Sequence, residues 1–322
     1  MSFIPGEDAE LLRTVVRDFL DKRSTEDDVR RLMDSAEGFD RAVWSQAAEP
    51  IGLQGLVIPQ HLGGAGATAV ELGVVFEEMG AALYCGPFYA TVGLAVTALL
   101  AADDAAARAA YLPGIAAGTT IATLAWAGPC PAESSLRAAR DGGDWTVTGT
   151  AELVIDGATA DLVLAAARTG DGISLFAIEG TAVGLRRAPL TPMDQTRKLA
   201  TLSFDRVAAR LVGAEGAAGP ALRAAFDMAT LYLAAEQLGG AARVLSTAVG
   251  YAKTRVQFGR PIGSFQAIKH RCAECSQVKP IPPWSCMFWA ARSLKASDAI
   301  APARAAETGS AAGSLTAVHR PW

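Results

Sequence analysis

The chain has 322 residues, of which 51% are hydrophobic, and its formal net charge at pH 7 is −4. A chain of this size can bury a sizeable core, and more than one domain is expected. Because the basic residues are scattered and the net charge is negative, the sequence predicts no nucleic-acid partner. Charged residues interrupt every apolar stretch well short of a bilayer's thickness, which predicts no membrane span. The acidic start at Glu7 and Asp8 does not fit a signal peptide, so we expect a cytoplasmic protein.

Three regions of different periodicity follow one another along the chain. In residues 1–118 the apolar residues recur three and four apart, which predicts a helical N-terminal domain. Residues 119–213 contain short β-branched runs separated by glycine-rich turns, which predicts a small β-barrel or sandwich domain. Residues 214–275 return to the helical period, with no proline between Pro220 and Arg255, and predict a helical C-terminal domain. The expected fold class is therefore α+β.

The last part of the chain, residues 276–322, has a different character. After Cys275 the helical periodicity fades, and prolines cluster at Pro280, Pro282 and Pro283. Proline lacks a backbone N–H and disfavours helix in the residue before it, so a helix cannot run through this cluster. The sequence predicts an irregular or disordered tail here.

The most informative stretch is residues 255–270, where a long helical pattern is interrupted at Gly259. Arg255, Gln257 and Phe258 place a guanidinium, an amide and an aromatic ring at one helix end. Such a set suits an anionic ligand that carries a flat ring, for example a dinucleotide. The alternative is an ordinary helix C-terminus, whose cation complements the helix dipole.

The order of these residues resembles the acyl-CoA dehydrogenase family. Further matches lie at residues 52–59, 77–80, 145–149 and 202–205, and the likeness is collinear from roughly residue 3 to residue 274. The resemblance implies the family's fold, in which a helical domain, a small β-domain and a second helical domain follow one another. It also implies FAD as cofactor and the oxidation of an acyl-CoA thioester between its α and β carbons.

The resemblance also implies a cofactor site that is shared between subunits. Arg255, Gln257 and Phe258 match residues that contact the ADP half of an FAD bound mainly by the neighbouring subunit, and Gln266 matches a further polar contact. The expected partners are an acyl-CoA substrate, an electron-transfer acceptor protein, and another acyl-CoA dehydrogenase subunit in a homo- or hetero-oligomer. Short members of the family often form unlike-subunit pairs that act on bulky acyl-CoA esters, including steroid-derived ones.

The sequence departs from the family pattern where the flavin ring would bind. The family's Trp-Ile-Thr segment, whose Thr hydroxyl bonds near the reactive flavin nitrogen, reads Leu153-Val154-Ile155 here. An isoleucine cannot donate that hydrogen bond. We interpret these three residues as an ordinary buried strand.

The position of the catalytic base is a second departure. At the family position on the long helix stands Ala229, which cannot accept a proton. Glu236 lies seven residues further on about the same helix face, and burial on an Ala/Leu-rich helix would raise its pKa as a general base requires. The alternatives are that Glu236 pairs with Arg223 or Arg243, or that it faces solvent.

Two further sets of residues resemble patterns of the family. Asp227 belongs to a Phe-Asp-x-x-Arg pattern of the family and is a candidate for substrate binding, although the Arg position holds Thr230. Asp194, Thr196 and Arg197 resemble a turn of short family members, and we interpret them as a salt-bridged structural loop.

Three functional hypotheses remain open at this stage. The first is an FAD-dependent acyl-CoA dehydrogenase subunit. The second is a catalytically silent structural partner or a truncated, non-functional family member, and the abrupt loss of likeness favours a shifted reading frame near Cys275 over a natural truncation. The third is a zinc-binding module, which we disfavour, at His270, Cys272, Cys275 and Cys286.

We also expect association through an apolar face of the long helix that contains Leu231, Leu233 and Leu238.

Overall fold

The structure is a computed structural model that describes residues 7–127 and 134–277. The predicted tail falls outside this range from residue 278 onwards. The helices of the N-terminal region are α1 (Glu7–Arg23), α2 (Glu26–Asp34), α3 (Arg41–Ala48), α4 (Ala69–Ala81), α5 (Thr97–Ala101) and α6 (Ala105–Ala116). A π-helical segment, Tyr89–Val96, leads directly into α5.

A set of strands follows the helices: β1 (Ala122–Ala125), β2 (Arg137–Asp141), β3 (Asp144–Ile155), β4 (Leu162–Arg168), β5 (Ile173–Glu179), β6 (Leu185–Leu190) and β7 (Leu199–Val212). The described part ends with helix α7 (Gly219–Thr254), the short strands β8 (Val256–Gln257) and β9 (Arg260–Pro261), and helix α8 (Gln266–Gln277). Among the described helices, none is long and apolar enough to cross a membrane.

Helix α1 is held against α4 by a charged cluster as well as by apolar contacts. Glu78 on α4 is buried, and its carboxylate accepts hydrogen bonds from Arg13 at 2.7 Å and from Arg17 at 2.8 and 2.9 Å. Arg13 also bonds to Glu77 at 3.0 Å. A buried carboxylate is tolerated only when it is paired in this way, so the cluster fixes which face of α1 meets α4.

The strands form a closed barrel. β2 pairs with β3, β3 with β7, β7 with β5 and β5 with β4, and the contact between β4 and β2 at Arg137 and Arg168 completes the ring. β1 lies parallel to β4, and β6 pairs with β7 outside the ring. Both faces of β4 and β5 are buried up to their last residues, because the barrel interior covers one side of each strand and neighbouring elements the other. The predicted α+β fold with a small barrel is confirmed.

Helix α7 is the long helix that the sequence predicts between Pro220 and Arg255. It crosses α4 at very close range, since an added Cβ at Gly239 would overlap the carbonyl oxygen of Glu77 and one at Gly80 would overlap the carbonyl oxygen of Glu236. Only glycine at the crossing allows the two backbones to approach this closely.

The apolar face expected on α7 lies elsewhere than predicted. Leu231 and Leu233 pack against the core, and these two residues and Leu238 are all only partly exposed. The exposed large apolar side chains of α7 beyond the crossing are Val244 and Tyr251, at 69% and 57% exposure. The helical period alone does not reveal which turns of a long helix are covered by neighbouring elements.

We expect Gly239→Ala to destabilise the protein by about 3 kcal/mol, because the new methyl group must push α7 away from α4. Gly250→Ala is the matched control on the same helix, since no atom of the described residues lies within 4 Å of its added Cβ. The control should stabilise the protein by about 0.5–1 kcal/mol. Urea unfolding of both variants measures the difference, and equal effects would show that the close crossing is not required.

Candidate functional site

The residues predicted to contact a dinucleotide lie on a β-hairpin that follows α7. Helix α7 ends at Thr254, and Arg255 already has an extended backbone with φ −70° and ψ 118°. Gln257 pairs with Arg260 across the hairpin, and Phe258 and Gly259 form its turn with φ values of 52° and 75°. The prediction of a helix end that carries all three residues is therefore wrong in its secondary structure. The left-handed pair at the tip makes a tight hairpin turn instead.

All four predicted cofactor residues are exposed, three at the hairpin and Gln266 at the start of α8. Arg255, Gln257 and Gln266 are exposed, and the side chain of Phe258 is 92% exposed. Among the described residues, the Gln257 amide donates to the main-chain oxygen of Val256, at 2.9 Å. A large aromatic side chain that faces outward next to exposed polar groups is unusual unless something covers it. The geometry fits a ligand held from outside this chain, and the roles of these residues remain a prediction.

A second candidate region lies on the face of α7 that packs against the N-terminal helices. Ala229, at the family's base position, is buried, and its carbonyl accepts a hydrogen bond of 3.1 Å from the Tyr89 hydroxyl. Phe76 stacks on Tyr232 with ring centroids 5.0 Å apart and meets Tyr89 edge-on at 6.1 Å. Aromatic side chains thus fill the space beside Ala229.

Glu236, the candidate base, is held in an ion pair. Both of its carboxylate oxygens accept hydrogen bonds from one nitrogen of Arg197, at 2.6 and 2.7 Å. The guanidinium of Arg197 also lies over the ring of Tyr89, 4.5 Å from its centre. The expected pairing of Glu236 with Arg223 or Arg243 is wrong, because the partner comes from a loop distant in sequence. The catalytic role of Glu236 stays a prediction.

The remaining candidates of this region lie on the outside. Asp227 is exposed at the start of α7, and the ring of its neighbour Phe226 meets Trp126 edge-on with centroids 6.4 Å apart. In the Asp194 loop, the backbone N–H and hydroxyl of Thr196 donate to the Asp194 carboxylate at 3.0 and 2.6 Å. This loop is salt-bridged as predicted, but through Arg197 to α7. No observation tests a substrate-binding role for Asp227.

The end of β3 departs from an ordinary buried strand. Leu153 is 64% exposed with φ 57°, and the pairing of β3 with β7 shifts register between Ala151 and Val154. A left-handed leucine costs about 1 kcal/mol, and such strained residues concentrate at functional sites. The interpretation as a regular buried strand is therefore wrong at Leu153. Alternation of side chains along a strand cannot reveal a bulge.

Two surfaces can be compared with the needs of the family's cofactor, FAD: the end of β3 at Ile155, and the hairpin after α7. At the end of β3 the hydroxyl of Thr123 is already committed to the carbonyl of Ile155 at 2.6 Å, and the Ile155 side chain has no donor. This surface therefore does not offer a flavin ring the hydrogen bond that the family uses. The exposed hairpin, in contrast, fits the ADP half of a dinucleotide.

Asp156 is a residue that sequence reasoning missed. It directly follows Ile155, has φ 52°, and is 6% exposed, and its Oδ2 atom has no hydrogen-bond partner among the described residues. Its backbone N–H donates to the carbonyl of Lys198 at 2.9 Å. Burial raises the pKa of Asp156 to about 7, although Arg197 and Lys198 oppose the shift. The Asp-Gly pair at Asp156-Gly157 signals a turn but not this burial.

The turn that carries Asp156 is fixed by a half-buried arginine. The guanidinium of Arg187 donates to the carbonyl oxygens of Ala158 at 2.9 Å, Ala160 at 2.8 Å and Gly180 at 2.5 Å. Three carbonyl acceptors hold the turn rigidly against the barrel.

The zinc hypothesis finds no geometric support in the described residues. His270, Cys272 and Cys275 lie on α8, and no group of three or more His, Cys, Asp or Glu side chains in the described part could hold a metal ion. The fourth proposed ligand, Cys286, lies outside the described residues. The hypothesis therefore remains untested as a whole.

Comparison with known proteins identifies the family. Residues 6–119 match the acyl-CoA dehydrogenase N-terminal domain, and residues 219–279 match the acyl-CoA dehydrogenase C-terminal domain. The chain is 36% identical over 269 residues to the acyl-CoA dehydrogenase IpdE2 of Mycolicibacterium smegmatis, which covers 84% of this chain and 72% of that protein. The chain belongs to the acyl-CoA dehydrogenase family.

Solved structures agree with this assignment. A steroid acyl-CoA dehydrogenase, the Tcur3481-Tcur3483 G363A variant, is 30% identical with a TM-score of 0.80, over 90% of this chain and 79% of that one. The ChsE4-ChsE5 complex from Mycobacterium tuberculosis is 28% identical with a TM-score of 0.82, over 93% and 81% of the two chains.

We expect the stability of the protein to fall as the pH rises from about 4 to about 7, in part because of Asp156. Its pKa is about 7 in the folded protein and about 4 when unfolded, so the folded state binds the extra proton in this window. Between pH 5 and pH 8 the wild type should lose about 2–3 kcal/mol relative to Asp156→Asn. Urea unfolding at both pH values measures the loss. Asp227→Asn, which removes an exposed carboxylate, should lose as much stability between the two pH values as the wild type does. If Asp156→Asn also loses as much stability as the wild type, the raised pKa of Asp156 is refuted.

Proposed function

We propose that this chain is a subunit of an FAD-dependent acyl-CoA dehydrogenase that desaturates an acyl-CoA thioester between its α and β carbons. Its main task is to complete the FAD site of a neighbouring subunit. The observation that carries this proposal is the hairpin after α7, where Arg255, Gln257 and Phe258 all face outward, with Phe258 92% exposed. Membership of the family supports the reaction.

Each hairpin residue has a distinct task toward the ADP half of the cofactor. The Arg255 guanidinium would form charge-assisted hydrogen bonds to the diphosphate, which are about twice as strong as neutral ones. The Gln257 and Gln266 amides would supply neutral hydrogen bonds, and the ring of Phe258 would offer a face to the adenine. When bound, FAD supplies the acceptor for the β-hydride.

The proton chemistry of the reaction is only partly provided by this chain. Abstraction of the α-proton needs a free carboxylate in a dry pocket. Glu236 is the carboxylate on the relevant face of α7, but Arg197 holds it at 2.6 Å, and Ala229 offers no alternative. We propose Glu236 as the candidate base of this chain, and a base supplied by the neighbouring subunit as the alternative. Asp227, exposed at the start of α7, is the candidate for a polar contact to the substrate.

The relatives narrow the proposed substrate and partners. Since a steroid acyl-CoA dehydrogenase is 30% identical to this chain, we propose a bulky or steroid-derived acyl-CoA ester. The likeness to the ChsE4-ChsE5 complex supports an unlike-subunit assembly. An electron-transfer acceptor protein would reoxidise the cofactor.

A second candidate function is a catalytically silent structural partner. Three observations favour it: Ala229 at the base position, Ile155 in place of a hydroxyl donor, and the ion pair of Glu236 with Arg197. In that case the hairpin would serve assembly alone, and the partner subunit would hold a complete FAD site.

We expect Arg255→Ala to weaken FAD retention by the assembled protein about tenfold and Gln257→Ala about threefold, because only the former removes a charged contact. Flavin absorbance per protomer after serial dilution measures the retention. Arg271→Ala, on the exposed surface of α8, removes the same charge outside the hairpin and should retain FAD like the wild type. Equal retention in wild type and Arg255→Ala would refute the cofactor assignment and favour the silent partner.

We expect the isolated chain to show little acyl-CoA dehydrogenase activity with an artificial electron acceptor, because its candidate base is held by Arg197. Glu236→Gln keeps the shape of the side chain and should lower any residual activity at least tenfold if Glu236 is the base. Full activity of an assembly that contains Glu236→Gln would assign the base to the neighbouring subunit. Robust turnover of the isolated Glu236→Gln chain would contradict both assignments.

A further inference from the structure

The tip of the hairpin has an unfavourable conformation that needs an explanation. Phe258 adopts φ 52°, a region in which side chains other than glycine, asparagine and aspartate are strained, and 92% of its surface is exposed. A residue in this state makes few contacts with the core that could offset the strain. Some local interaction must therefore favour this turn over the other conformations open to an exposed loop.

Two side chains next to the tip provide such an interaction. The guanidinium carbon of Arg260 lies 4.1 Å from the centre of the Phe265 ring, well within the range of a cation–π contact. The same ring meets Phe258 edge-to-face, with centroids 6.1 Å apart and an interplanar angle of 84°. Arg260, Phe265 and Phe258 therefore form one continuous stack, which we name the Arg-Phe-Phe stack.

The base of the stack is anchored on α7, so its position is defined. The N–H of Ile262 donates to the carbonyl of Arg255 at 2.8 Å. Gly263 lies against Ala252, since an added Cβ would come within 2.9 Å of its carbonyl oxygen. The backbone around Phe265 is thus fixed. The pairing of Gln257 with Arg260 closes the turn, and the contact with Phe265 adds a side-chain constraint on the ring of Phe258.

We propose that Arg260 and Phe265 are positioning residues that hold Phe258 in the orientation in which it meets the adenine of the neighbouring subunit's FAD. The identity of the ligand rests on the proposed function, whereas the claim that Arg260 and Phe265 hold Phe258 does not. Arg260 acts through Phe265 and needs no contact with the cofactor itself. Its planar guanidinium stacks on the ring in a way that a neutral side chain cannot reproduce.

The test uses the full-length chain in its assembly and two separate measurements. The first is the rate of chymotryptic cleavage after Phe258 under native conditions, with mass spectrometry to identify the site, because cleavage reports local opening of the turn. The second is FAD retention on dilution. In Arg260→Gln we expect cleavage to rise about fivefold and FAD retention to fall about fivefold, which corresponds to the loss of one exposed cation–π contact.

Conservative variants and a matched control separate positioning from general effects of charge or folding. Phe265→Tyr keeps the ring and should remain close to the wild type in both measurements. Arg260→Lys keeps a cation but loses the planar stacking, so it should lie between the wild type and Arg260→Gln. Phe265→Leu should behave like Arg260→Gln. Arg271→Gln removes an equal charge from α8 without touching the stack and should change neither measurement.

Several outcomes would overturn the proposal. If Arg260→Gln lowers FAD retention while cleavage after Phe258 stays unchanged, Arg260 contacts the cofactor directly. If Arg260→Gln and Arg271→Gln have equal effects, only the surface charge matters. If the wild-type assembly holds no FAD, the proposed function fails, but the cleavage rates still decide whether the stack orders the turn.

Discussion

The close crossing of α7 and α4 is the constraint on which the rest of the structure depends. Gly80 and Gly239 let the two backbones touch, and no side chain can be added at either position without moving a helix. Both candidate regions are carried by α7, one on its face at Ala229 and Glu236 and the other at its C-terminal end. The crossing therefore sets where each region lies relative to the N-terminal helices and the barrel.

A single arginine joins the three regions of the chain beside this crossing. Arg197 comes from the loop before β7, pairs with Glu236 on α7, and lies over Tyr89 in the N-terminal region. Asp156, whose backbone N–H donates to the carbonyl of Lys198 next to Arg197, adds a carboxylate that is more deeply buried than that of Glu236, and its raised pKa reflects the burial. A partly buried guanidinium that serves both a carboxylate and a ring is costly to displace, because each partner would lose its compensation. The place where Arg197 meets Glu236 and Tyr89 is therefore a fixed, polar structure rather than an open apolar pocket.

The sequence predicts those features of the fold that follow from local periodicity. The start of the long helix α7 was predicted to within one residue of Pro220, but the helical pattern was expected to run to the break at Gly259, whereas the helix ends at Thr254. The barrel region was predicted from its short β-branched runs. The hairpin was missed because Arg255, Gln257 and Phe258 read equally well as the last turn of a helix, and only the left-handed backbone of Phe258 and Gly259 separates the two.

The candidate site was predicted less well, since its contacts are made between residues far apart in the chain. Glu236 and Arg197 are separated by 39 residues, and no periodicity links a loop to a helix face at that distance. The bulge at Leu153 and the burial of Asp156 likewise depend on how β3 meets β7 and the following loop. The resemblance assigns residues of this chain to functional positions of the family. It does not show which of those side chains are already paired with other residues of the same chain.

The two halves of a dinucleotide site have different physical requirements, and the described residues at the end of β3 and on the hairpin differ in what they offer. A flavin ring needs donors that are preorganised in a dry interior, and Ile155 cannot provide one. An ADP group needs charge and an aromatic face that remain accessible until assembly, and the exposed hairpin provides both. A chain that completed its own cofactor site would have to bury these groups against its own barrel. The hairpin instead follows α7, whose turns beyond Gly240 are largely exposed among the described residues, and this exposure supports the proposal that a second subunit holds the ligand.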